Sequence, residues 1–198
     1  MALSTNAKVT WKAALMAGIS NIIAQSMTLR KSQSTYLWND PSAFNYKNFF
    51  YFVLYALIAT PPNFEWQMWL ERVFPGMVKT PMHNITGIPK ESDKVPTSNT
   101  DYSQSTIKTR NIVAKFLADQ IVGGTVNGIA FIAFFAFIDG RDIASAIKNE
   151  FWPMRVASFK LWPAVSLLNY TIVPPEHRIN FANLIGIGWG IYLSLLNL

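Results

Sequence analysis

Long stretches of this chain carry no charged side chain, among them residues 13–29, 120–138 and 179–198. Each approaches the roughly 20 residues that a helix needs to cross about 30 Å of hydrocarbon at 1.5 Å per residue. A surface facing water normally draws on a charged share of about 25%. Here Lys, Arg, Asp and Glu make up 14% of the residues, while apolar residues reach 51%. The fold expected is all-α: a polytopic transmembrane helical bundle with four to five membrane helices and one short interfacial helix. Disordered, collagen-like and conventional soluble-enzyme chains do not fit that pattern.

Charge and chemistry narrow the classes further. Seventeen Lys and Arg against eleven Asp and Glu give +6, but the cations form no stripe and sit mostly in loops. They read as topology determinants and contacts for anionic lipid headgroups, with the bilayer as partner and no nucleic acid. Cysteine is absent and there are two histidines, His83 and His177, so thiolate and metal chemistry are not expected. There is no Gly-rich phosphate loop and no nucleophile–base arrangement. Neither enzymatic activity nor a cofactor is expected. Met1–Thr10 lacks the features of a secretory signal, which suggests an uncleaved, internally targeted chain.

A single membrane domain over 1–198 is expected, with spans at about 13–29, 48–74, 111–138, 153–173 and 179–198. In the first span, Asn21 and Gln25 share one polar face. In the second, Pro61 and Pro62 remove two amide donors and should kink or break the helix. Residues 75–110 read as a polar, exposed loop. In the third span, Asn111, Lys115, Asp119, Gly123 and Asn127 recur at four-residue steps, and Gly124 and Gly128 permit close approach by a neighbour. Ile143, Ile147 and Phe151 then mark a helix lying in the headgroup region. The last span carries Ala182, Gly186 and Gly190 on another close-packing face.

Charged and amide side chains inside such spans are the candidate functional residues, because hydrocarbon penalises them unless they meet each other or water. Lys115 and Asp119 can pair at i, i+4, or Lys115 can snorkel outward. Lys160, on another helix, is an alternative partner for Asp119. Asn21, Gln25, Gln120, Asn127 and Asn169 can exchange hydrogen bonds between helices or line a wet, weakly selective passage. No ring of single-sign charge appears, which argues against strong ion selectivity. Trp162-Pro163 serves either as a gate hinge or as a kink within its helix with an anchored ring.

The order Lys160-x-Trp162-Pro163, Asn169-Tyr170, Val173-Pro174, Arg178 and Trp189-x-x-Tyr192-Leu193-Ser194 resembles the signature of the Mpv-seventeen and peroxisomal twenty-two-kilodalton membrane protein family. Asp119-Gln120 resembles its Asp-Gln motif, and Asn21-Ile22-Ile23-Ala24-Gln25 its N-terminal Asp-x-x-x-Gln element. The chain departs from the pattern at Asn21, where the family has Asp. It also lacks the proline after Asp-Gln and the histidine after Pro61-Pro62, and has Phe159 and Ser166 in place of Trp and Gln, which marks a divergent member. The resemblance implies a small helical protein of four spans in peroxisomal or mitochondrial inner membranes, forming a channel of low selectivity for small solutes. The branch-like residues favour the peroxisomal membrane. A structural or assembly subunit of a larger membrane complex, or a homo-oligomer, is the alternative reading.

Overall fold

The computed structural model describes residues 4–33, 41–75, 77–80, 104–107, 109–174 and 177–195. The architecture is helical. In chain order come α1 (Thr5–Gln33), a 3-10 turn (Pro41–Ala43), α2 (Tyr46–Val73), β1 (Met77–Thr80), β2 (Gln104–Ile107), α3 (Thr109–Ala118), a π turn (Asp119–Gly123), α4 (Gly124–Ile138), α5 (Ile143–Ser158), α6 (Trp162–Thr171) and α7 (Arg178–Leu195). An all-α reading omits the two short strands, which pair antiparallel with Met77 opposite Ile107 and Thr80 opposite Gln104. They close the ends of the connector expected as a loop over 75–110. Its middle, residues 81–103 with His83, lies outside the described residues.

Local chemistry explains most helix boundaries. Asn45 caps α2, its side chain accepting from the Asn48 N–H at 2.9 Å. Asp142 caps α5 by accepting from the Ser145 N–H at 2.7 Å; such caps satisfy donors that a helix start leaves orphaned. Gly140 takes φ +66° in the turn between α4 and α5, a conformation that side chains with a Cβ disfavour.

Two expected breaks fall elsewhere. Helix α2 runs unbroken through Pro61 and Pro62, so this pair does not separate two helices. The span expected at 153–173 is instead two pieces. Helix α5 continues through Pro153 to Ser158, merging with the expected interfacial helix, and α6 starts afresh at Trp162. Pro163 stands in the first turn of α6, where its missing N–H costs nothing; inside a continuous helix its ring would meet the carbonyl four residues back.

The packing places α1 against both α2 and α7, α4 against α5, and α6 against α3 and α7. Gly128 of α4 meets Met154 of α5, with 3.3 Å between the methionine Cε and the place a Cβ would occupy. Of the α7 glycines, Gly190 is close to a neighbour, with Ser20 Oγ of α1 at 2.6 Å from that place, while no described residue comes within 4 Å of the same place at Gly186. The expected close-packing face on α7 is therefore used at one of its two glycines.

Apolar side chains crowd the outside. Leu15, Ile19 and Ile22 on α1, Phe50, Leu54 and Ile58 on α2, and Val113 and Leu117 on α3 are exposed at helical spacing. Lys115, Asn21, Gln120, Ser166, Asn169 and Arg178 are buried. Exposed apolar side chains beside a buried lysine and arginine depart from the usual distribution of a protein in water. Among the described residues, one helix is long and apolar enough to cross a membrane. It is the continuous run Thr109–Ile138, whose most apolar window has a mean hydropathy of 2.1.

Candidate functional site

Five of the buried polar residues, Lys115, Gln120, Ser166, Asn169 and Arg178, converge where the C-terminal half of α2, α3, the π turn, α6 and the start of α7 meet. Apolar packing of Leu70, Ile112 and Tyr170, with Trp66, Phe74 and Phe116, fills the space around them. Leu70 and Lys115 have no exposed surface at all. A lone ammonium at 0% exposure would be very costly. Lys115 Nζ instead donates to Glu71 of α2, and Arg178 donates to the same Glu71 oxygen, Oε2, through its Nη1. The Lys115 ammonium and the Arg178 guanidinium also lie 5.6 and 5.2 Å from the Tyr170 ring centroid, within cation–π range.

Arg178 does more than pair. Its Nε donates to the carbonyls of Asn169 at 2.9 Å and Val173 at 3.2 Å. Those groups belong to the open C-terminal end of α6, which a cation stabilises. One guanidinium thus ties the α6 end, the α7 start and the α2 carboxylate together.

Asp119 is the second acid, and among the described residues no ion pair to it is formed. Its carboxylate accepts from Gln67 Nε2 at 2.9 Å and Trp66 Nε1 at 3.3 Å on α2, and from Ser166 Oγ at 2.7 Å on α6. Gln67 links the two halves, since its Oε1 accepts from the Tyr170 hydroxyl at 3.0 Å. Two acids (Glu71, Asp119) and two cations (Lys115, Arg178) make the cluster neutral as a whole. Neutrality and dense hydrogen bonding are what make a buried ionic group affordable.

The π turn positions Asp119. The Gly124 N–H bonds to the Asp119 carbonyl, five residues back, so one extra residue is inserted into the helix. Gly123 lies beneath it because the space for a Cβ is occupied by Trp66 Nε1 at 2.9 Å and Asp119 Oδ1 at 3.1 Å. Arg155 of α5 donates to the Gln120 carbonyl and stacks on Phe159, 4.5 Å from its ring centroid. That carbonyl lies inside the under-wound turn, where helical partners are scarce.

The sequence candidates sort by place. Lys115, Asp119, Asn169 and Arg178 come together here, with Gln120 buried beside them and contributing its backbone carbonyl. Lys115 pairs with Glu71, however, not with Asp119 four residues on. Lys160 is exposed and is not the partner of Asp119, because α5 ends before it and the turn over 159–161 carries it outward. Asn127 is also exposed, its Nδ2 donating to the Gly123 carbonyl at 3.0 Å, so the four-residue staircase leaves the inner face after the buried Gly123. Asn21 and Gln25 form a separate contact, Gln25 Nε2 donating to Asn21 Oδ1 at 2.7 Å. Trp162, Trp189 and Tyr192 join α6 to α7, with centroid separations of 6.3 Å (Trp162–Trp189) and 5.4 Å (Trp189–Tyr192). Pro174 accepts from the His177 N–H at 2.9 Å in the connecting turn.

Glu71, Gln67, Trp66, Ser166 and Tyr170 are the members that sequence reasoning missed. A signal existed: Asn63, Gln67 and Glu71 recur every four residues on α2, as Lys115 and Asp119 do on α3. Trp66, Trp69 and the neighbouring Glu71-Arg72 invite a reading as surface anchors, which hides it.

The Mpv17 / PMP22 family profile matches residues 135–194, the segment holding the Trp-Pro to Tyr-Leu-Ser string. PXMP2/4 family protein 3 of Dictyostelium discoideum is 30% identical over 185 residues, 92% of this chain and 79% of its own. Protein sym-1 of Neurospora crassa is 38% identical over 94 residues, 47% of this chain and 53% of its own. Protein SYM1 of Gibberella zeae is 33% identical over 90 residues, 46% of this chain and 51% of its own. The match thus spans about half the length of these two fungal relatives. No solved structure matches.

Proposed function

The chain belongs to the Mpv17 / PMP22 family, and from that premise we propose that it is a polytopic integral protein of an organelle membrane that passes small polar metabolites with low selectivity. The observation that carries this reading is the inversion of the molecule: apolar side chains outside, and a neutral network of Glu71, Lys115, Arg178, Asp119 and Gln67 inside. A charge-balanced, hydrogen-bonding interior favours neither cations nor anions, and suits uncharged or weakly charged solutes. Buried amide atoms of Asn169, Asn180 and Asn183 that have no protein hydrogen-bond partner support a wet route beside α6 and α7. Passage of this kind needs no covalent chemistry. The membrane proposed is peroxisomal, with the mitochondrial inner membrane as the alternative.

Purified protein in liposomes should release small neutral solutes and retain larger ones, and Asp119→Asn should change the rate. A second reading, a subunit of an oligomer or larger membrane complex, is favoured by Gly186 and Gly188, where no described residue comes within 4 Å of the place a Cβ would occupy. Inert liposomes together with stoichiometric copurification of a large assembly would favour that reading over a channel. Fluorescence of the intact chain decides between the two organelles.

A further inference from the structure

At the end of the α2–α4 pair remote from the ion network, α2 begins and α4 stops side by side. An open recess of about 310 Å3 lies between them, lined by Asn45, Lys47, Asn48 and Tyr51 from α2 and by Phe135 and Asp139 from α4. From Lys47 to Glu71 the helix rises about 36 Å at 1.5 Å per residue, slightly more than a hydrocarbon core of about 30 Å. On the membrane reading proposed above, on which this inference rests, the recess therefore stands at headgroup depth.

Its floor is fixed before anything binds. The Asn45 N–H donates to Gln25 Oε1 at 2.7 Å, its carbonyl accepts from Gln25 Nε2 at 3.1 Å, and its side chain caps Asn48. Lys47 Nζ lies 5.6 Å from the Tyr51 ring centroid. Across the recess stands the half-exposed Asp139 carboxylate, 3.8 Å from Arg141 Nε. That arginine is shared, because its Nη1 donates to Glu150. Among the described residues the recess so offers one cation and one loosely paired carboxylate, and the rings of Tyr51 and Phe135 also line it.

We infer that this recess binds a phosphate ester joined through a short linker to an ammonium group, the headgroup of a zwitterionic phospholipid. Lys47 takes the phosphate and Asp139 takes the amine. A purely anionic headgroup would satisfy Lys47 and be repelled by Asp139. The same chemistry exists in free solution, but Phe50, Leu54 and Ile58 are exposed at four-residue steps down α2 from the recess and supply a track for acyl chains, which points to the lipid.

The experiment uses the full chain purified in detergent, with lipid retention read by native mass spectrometry and stability by thermal melts. Phosphatidylethanolamine should be retained over phosphatidylglycerol by roughly fivefold, since one charge contact at a membrane surface is worth about 1 kcal/mol. Asp139→Asn should abolish the preference and Lys47→Gln should weaken retention of both lipids, while melts without added lipid stay unchanged and show both variants folded. Water-soluble glycerophosphoethanolamine at millimolar concentration should displace neither lipid. Equal retention of the two lipids, or a preference surviving in Asp139→Asn, overturns the inference. Displacement by the soluble ester overturns the lipid assignment. Solute release from liposomes should be the same in both variants as in the parent chain, so inert liposomes with an intact lipid preference would defeat the transport reading and leave this one standing.

Discussion

The two ends of the long Thr109–Ile138 helix are held by opposite means. At its start, Lys115 and Asp119 are gripped by Glu71, Gln67, Trp66 and Ser166 in a network of charge and amide. At its finish, Ile132 and Ala136 pack on Ala146, Ile147, Phe151 and Met154 of α5. On the α2 side of that end, Tyr55 meets Phe131 edge to face and Phe134 at a tilt, at 5.3 and 5.2 Å between centroids. On the membrane reading proposed above, apolar contacts gain little over lipid, so that end relies on close packing and shape. The polar end has a large preference for its one arrangement, because any other strands a charge in an apolar setting. The network therefore specifies which helices meet, and the apolar end lets them lie close.

That contrast predicts an ordering of mutational effects. Glu71→Gln should be the most damaging change, costing about 3–5 kcal/mol because two buried cations lose their shared carboxylate. Accumulation and thermal melts in detergent should show it, and adding Lys115→Met should restore part of the loss. Full additivity of the two changes would mean that the pair is not coupled. Ile132→Ala should come next, at about 2–3 kcal/mol for a cavity between α4 and α5, with solute release per folded molecule unchanged. A change in release equal to that of Asp119→Asn would erase the division between the two ends.

Smaller effects sharpen the same picture. Gly190→Ala should cost about 1 kcal/mol or slightly more, because a methyl there meets Ser20 Oγ and forces a shift, whereas Gly186→Ala should be silent in the same melt. The smallest effect belongs to Asp142, the cap of α5. The Ser145 N–H that it accepts holds its carboxyl below the usual carboxylate range. Because the folded pKa is depressed, the cap's stabilisation is present above the ordinary carboxylate range and fades as pH falls through the depressed one. Asp142→Ala should lower the melting temperature slightly at neutral pH and converge with the parent chain in acid. A gap that widens on acidification would contradict the cap.

How much of this was legible in the sequence can be judged from particular residues. The four-residue spacing of Lys115 and Asp119 and the glycines at 124 and 128 put the right side chains on the right helix. The partners were not legible, because Glu71 lies 44 residues from Lys115 and 107 from Arg178, and nothing local states that α2 will lie against α3 and α7. Proline was misleading in both directions. Pro61 and Pro62 sit within an unbroken helix, while at Pro163 the helix begins anew, since a proline's cost depends on whether the carbonyl behind it has another conformation available.

Hydropathy and helical periodicity, both local quantities, settled from the sequence that this protein is helical, apolar outside its loops and sparing with charge. The motif order from Trp162 to Ser194 settled its kinship in the same way. Tertiary structure alone decided which charges neutralise each other, that Asn127 lies outside while Asp119 is held inside, and that Lys160 is left in the open. Those outcomes depend on the direction in which side chains from distant segments converge, and burial charges its electrostatic cost to the assembled cluster, not to any residue by itself.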